Sequence, residues 1–508
     1  MIILLIIVAC IGSGTTALAA DHYASPEGTA RWHICIDRDK PCALDTANAK
    51  VQPGDTVYLL PGSYDSFIMP LESGKSESER IVYKNYDNSD VRIDGGSFAI
   101  LLDGKSYVSV EGIHAANCHQ FLVIRKGRHN DIGHCTFDRN KGRFIWPGSF
   151  IYDNSQYNRI HDCTFSRFGW TKDGDDRGAV LDVGVDISKT DATDCNVIEN
   201  NVFYYGGHHI LHICGKNNVV RNNYFHNENW MPGADGKQYG NRNVLTIGPM
   251  AMRNLFEGNR FAFAGKPIDD NGANGLVVRC PKNIVRFNMS YANMASGIGM
   301  HSMTVSIPTD NCIYNNTLYH NGIGEEIDEP WRCGIAFGNW GNGPLPGNIV
   351  VNNIMYDNFK NKAVGGYGDA GPQDIHDNWL EQGDPGFMND TIPEDTSDAS
   401  LPDFRLKPDS PCIDKGVFLT TIVCESGSGT MFAVENAGFF FDGWNIPGER
   451  GDLIQLEGRK DTARILDIDY GKNLITVDRE LTWEKGRSLS LAYYGSSPDL
   501  GACEFTGR

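Results

Sequence analysis

An eight-residue pattern recurs through the middle of the chain and constrains the fold more than any other feature. Each copy begins with Asn, carries an apolar residue at its third position and has Asn or Cys at its sixth. An aromatic or aliphatic residue usually follows at the eighth position. The copies are NDIGHCTF from Asn130, NRIHDCTF from Asn158, NVIENNVF from Asn196, NVVRNNYF from Asn218, NLFEGNRF from Asn254, NIVRFNMS from Asn283, NCIYNNTL from Asn311 and NIVVNNIM from Asn348, with QDIHDNWL from Gln373 as a ninth variant.

Apolar and polar residues alternate within each copy, which is the periodicity of a β-strand. A β unit of this size cannot bury its own apolar face, so it has to stack on its neighbours at about 4.8 Å per rung. The sixth positions then form one column, in which Asn amides can bond from rung to rung. We therefore predict an all-β, single-stranded parallel β-helix with an Asn ladder at Cys135, Cys163, Asn201, Asn223, Asn259, Asn288, Asn316 and Asn353.

The pattern divides the chain into four parts. We predict a signal peptide at residues 1–20, and a parallel β-helix at residues 21–416, whose first thirty residues cap the open first coil. Residues 417–496 alternate without the Asn pattern and indicate a small antiparallel β module, with a hairpin turn at Tyr470-Gly471-Lys472-Asn473. Residues 497–508 are predicted to return to the β-helix as a terminal strand.

Composition narrows the cellular setting and the partners. Residues 2–11 form an apolar run followed by Ala17-Leu18-Ala19-Ala20, as in a secretory signal, so we expect a secreted or cell-surface protein. Ile7-Val8-Ala9-Cys10 also resembles a bacterial lipobox, which would leave a lipid anchor at Cys10. No later stretch is long and apolar enough to span a membrane. The net charge of −19 disfavours nucleic acid as a partner. We expect a monomer.

Cysteine is frequent for an exported chain. Of the 14 cysteines, Cys35 and Cys42 flank a short loop and are the predicted disulfide. No C-x-x-C pair occurs, which gives a zinc ribbon no support.

The second strand of each coil supplies a candidate site. The segments VLDVG, ILHIC, VLTIG, GLVVR, GIGMH and GIAFG are apolar at their second and fourth positions, so their third and fifth positions should point outward. The predicted third column is Asp182, His212, Thr246, Val277, Gly299 and Ala336. The predicted fifth column is Gly184, Cys214, Gly248, Arg279, His301 and Gly338.

Two pairs of chemically active residues result from this alignment. Asp182 beside His212 can be a carboxylate-oriented general base or an ordinary surface pair. Arg279 beside His301 can be a pair of solvated charges. Alternatively, Arg279 neutralises a uronate carboxylate while His301 takes or gives the proton at carbon 5. These four residues are the predicted catalytic residues.

The loops that border this face add further candidates. Exposed aromatic rings beside polar groups suit stacking on sugar rings, and the predicted substrate-binding residues are Trp230, Trp331, Arg242, His209 and Glu228. A Ca²⁺ site is predicted at Asp173, Asp175 and Asp176, whose oxygen ligands suit that ion, although short Asp-Gly runs also form plain turns. No organic cofactor is expected. Loop carboxylates such as Asp175, Asp270 and Glu325 could instead serve glycoside hydrolysis.

Three stretches carry a resemblance to known proteins: PGDTVYLLPGSY, the N-x-I-x-N-N-x-F coils, and the ending SPCIDKG…SPDLGACEF. Over residues 45–415 and the last dozen, the chain resembles the right-handed parallel β-helix superfamily, in particular polysaccharide lyases of the chondroitinase B and alginate lyase type. The resemblance implies a right-handed coil. In that group a basic residue and an Arg lie on successive coils beside a metal, as Arg279 and His301 would here, although the group's catalytic Lys has no counterpart.

These observations lead to one expected function and two alternatives. We expect a carbohydrate-active enzyme that cleaves an acidic, uronate-containing polysaccharide by β-elimination. The first alternative is a glycoside hydrolase that uses loop carboxylates on the same scaffold. The second is a surface or carbohydrate-binding protein without catalytic activity.

Overall fold

Three parallel sheets of 13, 12 and ten strands dominate the chain. The computed structural model describes residues 19–140, 148–167, 179–184, 191–206, 209–228, 242–265, 272–394 and 400–507. Neighbouring strands of each sheet come from successive turns of the chain and pair in parallel, as Asp182 does with His212. The predicted parallel β-helix is confirmed. We call one turn of the chain a coil.

The strand bounds show how short each rung is. The 13-stranded sheet consists of Asp21–Ala24, Thr56–Leu59, Ile81–Asn85, Val108–Glu111, Asp131–Gly133, Arg159–His161, Val197–Glu199, Val219–Arg221, Leu255–Glu257, Ile284–Arg286, Cys312–Tyr314, Ile349–Val351 and Asp374–His376. The 12-stranded sheet consists of Gly62–Tyr64, Val91–Asp94, Ile113–Ala116, Thr136–Asp138, Thr164–Ser166, Val202–Tyr204, Tyr224–His226, Arg260–Ala262, Met289–Tyr291, Thr317–Tyr319, Ile354–Tyr356 and Trp379–Leu380. The ten-stranded sheet consists of Ile100–Asp103, Leu122–Arg125, Ser149–Tyr152, Ala179–Val183, His209–Ile213, Arg242–Thr246, Leu276–Val278, Ile298–His301, Ile335–Gly338 and Val364–Tyr367.

The remaining elements lie at the two ends of the coils. The α-helix Leu44–Lys50 belongs to the N-terminal cap, and its Leu44 and Ala47 join the core of the first coils. Short 3₁₀ turns occur at Tyr86–Asn88, Glu329–Trp331, Phe359–Asn361 and Ala437–Phe439. A two-stranded antiparallel sheet pairs Phe387–Asn389 with Asp403–Leu406. Among the described residues, no helix has the length and apolar character needed to cross a membrane.

The Asn ladder at the sixth position is present and buried. The side-chain oxygen of Asn223 accepts from the backbone N–H of Asn201 at 2.9 Å and from its amide nitrogen at 3.0 Å. The amide nitrogen of Asn223 donates in turn to the side-chain oxygen of Asn259 at 3.0 Å. The same contacts continue upward through Asn288, Asn316, Asn353 and Asn378. Each rung therefore holds the next one by side-chain as well as backbone bonds.

A second ladder, which the sequence pattern had not led us to predict, runs through the first position of the repeat. Its members donate and accept in the same way, for example from Asn283 to Asn311 at 2.8 Å. A third, shorter ladder joins Asn293, Asn321 and Asn358, and ends on Glu381. Members of the second ladder are Asn130, Asn158, Asn196, Asn218, Asn254, Asn283, Asn311 and Asn348.

The fifth position of the repeat forms a corner between two sheets. It adopts a left-handed conformation in coil after coil, with φ of 55° at Asn200 and Asn222 and 66° at Gly258. Asn, Asp and Gly reach this region most easily. The eighth position fills the interior, where Phe165, Phe203 and Phe225 stack with ring centroids 4.7 and 5.0 Å apart. The repeat thus encodes a corner, two ladders and a core column.

The C-terminal part of the chain covers the outer faces of two of the three sheets. An antiparallel sheet forms the predicted module from Thr420–Thr421, Gly427–Ala433, Leu453–Leu456, Thr462–Asp469, Leu474–Trp483 and Ser488–Leu491. Its apolar residues share a cluster with outward-facing residues of the 13-stranded sheet, such as Val219 and Leu255. Phe387, Phe404 and Leu500 pack against the 12-stranded sheet in the same manner.

Buried ion pairs fasten the module to the coils. Arg286 donates to Asp452 at 2.6 and 2.7 Å and to Glu257 at 2.8 Å, and its side chain is 3% exposed. Arg221 donates to Glu449 of the module at 2.6 Å and to Glu199 of the solenoid at 2.7 Å. Arg286, Asp452 and Glu449 are buried, and a buried charge is costly unless it is paired. These contacts therefore hold the module in one position on the coils.

Two sequence predictions fail in these regions. Cys35 and Cys42 are buried thiols rather than a disulfide, and none of the 13 described cysteines is bonded to another. A hydrogen bond from Cys42 lowers the pKa of the Cys35 thiol to about 5. The predicted terminal strand is also absent: residues 497–507 form no strand, although Gly501 and Ala502 donate backbone bonds to Asn352 and Thr317. Both acceptors lie on buried residues of the coils, so these bonds hold the C-terminal loop against the β-helix without strand pairing.

The Asn ladder makes a stability prediction. Replacing Asn288 by Ala removes bonds to Phe256, Asn259 and Asn316 and leaves their polar groups buried without partners. We expect the free energy of unfolding to fall by about 3–5 kcal/mol in urea titrations. Asn389→Ala, at an exposed strand position, should change it by less than about 1 kcal/mol. Equal losses in both variants would contradict a structural role for the ladder.

His161 makes a prediction about pH. A hydrogen bond to Asp131 at 2.8 Å and a second one to Asp162 raise the pKa of His161 to about 9. Because this lies above the unfolded value of about 6.5, the stabilisation is complete below pH 6.5 and disappears as the pH rises through 9. We expect His161→Gln to cost about 1–2 kcal/mol at pH 6 and almost nothing near pH 10, as measured by urea unfolding. A pH-independent cost would refute this account.

Candidate functional site

The outer face of the ten-stranded sheet carries the candidate site. Two core columns of this sheet, one through Leu211 and one through Ile213, point into the solenoid. Residues between them and just after them therefore point away from the core. The structure places one outward column through Phe150, Asp182, His212, Leu245, Val277, Gly299 and Ala336.

One strand of this face is shifted by a residue from the predicted alignment. Leu245 pairs with His212, and Thr246 pairs with the core residue Ile213, so Thr246 points inward. The hydroxyl of Thr246 donates to the carbonyl of Val277 at 3.3 Å and accepts from the N–H of Arg279 at 3.1 Å. These two bonds satisfy the buried hydroxyl. The predicted outward positions of Thr246 and Gly248 are thus wrong. The run VLTI is almost wholly apolar, so alternation of apolar and polar residues could not indicate which of its side chains point outward.

Arg279 and His301 lie beside each other on successive rungs. Val278 pairs with Met300, so the next residue of each strand, Arg279 and His301, are neighbours on the outward side. Arg279 is 6% exposed and His301 is 1% exposed. We call these two residues the Arg279–His301 pair.

Two tryptophans cover this pair. The ring centroid of His301 lies 4.5 Å from that of Trp331 and 4.9 Å from that of Trp340. The guanidinium carbon of Arg279 lies 5.8 Å from the Trp340 ring. Trp331 is buried, whereas Trp340 is 41% exposed. Trp340 thus forms the solvent side of a packed cluster, with a cation and an imidazole beneath it.

Asp182, His209 and His212 form a second group, which we call the Asp182 cluster. Oδ1 of Asp182 lies 3.4 Å from Nδ1 of His212 and 3.6 Å from Nε2 of His209. The two imidazole centroids are 4.7 Å apart. Sequence alignment paired Asp182 with His212 but placed His209 only among the substrate-binding residues. His209 begins its strand, where alternation is broken by the corner, so its direction was not readable from the pattern.

Burial and neighbouring charges shift the titration of this cluster. Burial lowers the pKa of His209 to about 4, although Asp182 pulls in the other direction. Burial also raises the pKa of Asp182, but attraction to His212 and polar contacts with both imidazoles outweigh it, so the pKa is lowered. At neutral pH the cluster thus contains an ionised carboxylate beside a neutral His209.

An apolar patch separates the two groups. Cys214, Leu245, Ile247 and Val277 form a small cluster of their own, with Met303 against it, apart from the main core. Arg279 lies two rungs away from His212 and two residues further along its strand. The backbones of His212 and Arg279 are therefore roughly 12 Å apart. The face therefore offers two polar groups with an apolar surface between them.

Two other predicted substrate-binding residues have different surroundings. Arg242 pairs with His209 at the start of its strand and is 2% exposed, so it lies beside the Asp182 cluster inside the protein. Glu228 contacts Nδ1 of His226 at 2.9 Å, next to a strand of the 12-stranded sheet. Trp230, Asp173, Asp175, Asp176 and Asp270 lie outside the described residues, and Glu325 is exposed.

Glycines allow the rings to lie close to this face. A Cβ at Gly338 would collide with the indole of Trp331, and one at Gly299 would lie 2.9 Å from Nε2 of His301. Gly338 and Gly299 therefore make room for the rings of Trp331 and His301 rather than simply lining a groove.

Comparison with known proteins agrees with the fold. Residues 180–368 match a family model described as "Right handed beta helix region". Together with the three parallel sheets, this match shows a right-handed parallel β-helix. No curated protein matches the sequence.

Several solved structures are similar to this chain. The pectate lyase Pel9A is 13% identical, with 96% of this chain and 97% of that chain covered and a TM-score of 0.47. An alginate lyase from Paenibacillus sp. str. FPU-7 is 13% identical, with coverage of 70% and 99% and a TM-score of 0.41. The PL6 family polysaccharide lyase Pedsa3628 from Pseudopedobacter saltans is 16% identical, with coverage of 72% and 95% and a TM-score of 0.43.

The packing of Trp331 against Gly338 makes a prediction of its own. Gly338→Ala should push the indole of Trp331 off the strand and so change the near-ultraviolet circular dichroism, with a loss of about 1–3 kcal/mol in unfolding free energy. The control is Gly427→Ala, where the nearest neighbour of the new Cβ would be 3.7 Å away. If the two variants gave the same spectra and stability, Trp331 would not be packed against this strand.

Proposed function

We propose that this chain is a polysaccharide lyase that cleaves an acidic, uronate-containing polysaccharide by β-elimination on the outer face of the ten-stranded sheet. The single observation that carries the proposal is the Arg279–His301 pair beneath a half-exposed tryptophan. This arrangement offers a cation, a proton acceptor and an aromatic surface within one pocket.

The chemistry of β-elimination requires these groups. The proton on carbon 5 of a uronate is weakly acidic until a cation neutralises the adjacent carboxylate. Arg279 provides that cation, and a guanidinium can hold a carboxylate with two parallel bonds. His301 then takes the proton from carbon 5. The electron pair of the C5–H bond forms the C4=C5 double bond, the C4–O4 bond breaks, and the leaving oxygen takes up a proton from His301 or from water.

The shape of the face supports a polymeric substrate. Ten stacked strands give an outer surface roughly 40 Å long, which is long enough for several consecutive sugar units. The whole chain has a net charge of −19, so a polyanion would be repelled at a distance. Binding an acidic glycan therefore depends on local cations, and Arg279 is one of them.

Access to His301 depends on Trp340. Because His301 is 1% exposed, a sugar ring reaches it only after the Trp340 indole turns away from the pocket. The displaced indole can then stack on a neighbouring sugar ring. In this proposal Trp340 is a substrate-binding residue, and Trp331 holds the imidazole of His301 in place.

The proposal also includes export of the chain and a Ca²⁺ site. The apolar run at residues 2–11 and the small residues before Asp21 support export, with a lipid anchor at Cys10 as the alternative. Asp173, Asp175 and Asp176 remain the predicted Ca²⁺ ligands, because carboxylate oxygens are what that ion prefers. Both stay predictions.

Digestion of alginate, pectate and glycosaminoglycans tests the proposed function. We expect ultraviolet-absorbing unsaturated products from at least one of these glycans. Arg279→Ala and His301→Gln should each lower kcat/KM by at least about 100-fold, and Trp340→Ala should mainly raise KM. Arg405→Ala and His376→Gln, which change exposed residues elsewhere, should leave kcat/KM unchanged.

Two outcomes would overturn the proposal. New reducing ends without ultraviolet absorbance would indicate glycoside hydrolysis. Glycan binding that survives in the Arg279→Ala protein, with no product from any glycan, would indicate a binding protein.

A further inference from the structure

We propose that Asp182, His209 and His212 bind one divalent transition-metal ion on the outer face, with Zn²⁺ as the ion that suits the donor set best. This site differs in place and in ligand type from the predicted Ca²⁺ site at Asp173, Asp175 and Asp176. The binding site stands on the geometry of the cluster alone, whereas the role suggested for it below rests on the proposed function.

The spacing of the donor atoms is the first observation. One ligand atom from each of the three residues lies within 4.8 Å of the other two. Oδ1 of Asp182 is 3.4 Å from His212 and 3.6 Å from His209, both beyond normal hydrogen-bond length. Bonds of about 2.0–2.1 Å in a tetrahedral arrangement place ligand atoms roughly 3.4 Å apart. The atoms thus stand where ligands of one shared ion would stand.

Burial of the carboxylate oxygen is the second observation. Oδ1 of Asp182 is buried and makes no normal hydrogen bond within the described part of the chain. A buried carboxylate oxygen without such a bond is costly unless a positive charge lies beside it. A bound cation at the centre of the cluster would supply that charge and satisfy the oxygen.

The donor types select the kind of ion. Two imidazoles and one carboxylate suit zinc and other first-row transition metals, whereas Ca²⁺ and Mg²⁺ prefer oxygen ligands. Three protein ligands also leave a coordination position open, as in catalytic rather than structural zinc sites. In this arrangement Asp182 and His212 act as ligands, which replaces the general-base role considered for them above.

A second group in the chain provides a contrast. His134, His161 and Asp162 also bring three such donors within 4.8 Å of one another. Both ring nitrogens of His161, however, are engaged at hydrogen-bond distance, with Asp131 at 2.8 Å and Asp162 at 2.7 Å. That group is satisfied as an ion-pair network, so it carries no metal proposal and makes a matched control.

The open position gives the ion a role in the proposed reaction. It would lie on the same face as Arg279, across the apolar patch of Leu245 and Ile247. A carboxylate oxygen of an acidic glycan could complete the coordination shell there. The ion would then hold one uronate while Arg279 holds another along the same polymer, on strands whose backbones are roughly 12 Å apart at these residues.

Metal titration of the full chain tests the site without reference to activity. Chelator-treated protein is titrated with Zn²⁺ by calorimetry, and with Co²⁺ to record the visible spectrum of a tetrahedral site. We expect one ion per chain. Asp182→Asn, His209→Gln and His212→Gln should each weaken binding by at least about 100-fold, while His161→Gln should bind as the unaltered protein does. Circular dichroism of each variant checks that the fold is kept.

Opposite results would overturn the metal site. These are no stoichiometric binding by the unaltered protein, or binding that survives in folded variants of the cluster and is lost in His161→Gln. Zinc binding in a protein that cleaves no glycan would leave this site in place and refute only the proposed function. Cleavage by a protein that binds no Zn²⁺ would do the reverse.

Discussion

Stacked asparagine amides are the interaction on which the rest of this structure depends. A solenoid of three-residue strands has little regular structure per rung, and each corner exposes backbone groups that no strand partner can satisfy. The two long ladders bind those groups, as Asn223 does with Ile198, and tie every coil to the next. Because the coils are held in a fixed register, residues 30 positions apart, such as Asp182 and His212, become direct neighbours.

The arrangement of the other faces helps to explain why the candidate site lies on the ten-stranded sheet. The C-terminal module packs against the 13-stranded sheet through buried charges such as Arg286 and Asp452. Phe404 and Leu500 cover part of the 12-stranded sheet. The outward columns of the ten-stranded sheet instead carry titratable groups and aromatic rings, bordered by loops such as the one that ends in Trp331. The candidate site thus lies on the sheet against which neither the C-terminal module nor Phe404 and Leu500 pack.

The repeat made the fold and most of the outward columns readable from the sequence, because a period of two and a constant Asn position leave few alternatives. The pattern failed at positions where the residue type does not indicate whether a side chain points inward or outward. VLTI could not show that Thr246 points inward, since a buried hydroxyl with two bonds looks like an exposed one in sequence. His209 was predicted to bind substrate, but its place beside Asp182 and His212 was not readable because it lies at a corner. Cys35 and Cys42 do lie close together, as predicted, but closeness of two thiols does not determine whether they are oxidised to a disulfide.

Stacking brings the Asp182 cluster and the Arg279–His301 pair onto one outer face, on which we propose that an acidic glycan binds. A crystal structure of the His301→Gln protein with a bound acidic oligosaccharide is the decisive test of this proposal. We expect a sugar chain along the outer face of the ten-stranded sheet, with one carboxylate at Arg279 and Trp340 stacked on a ring. An oligosaccharide bound to another face, or Arg279 and Asp182 pointing into the solenoid, would contradict it.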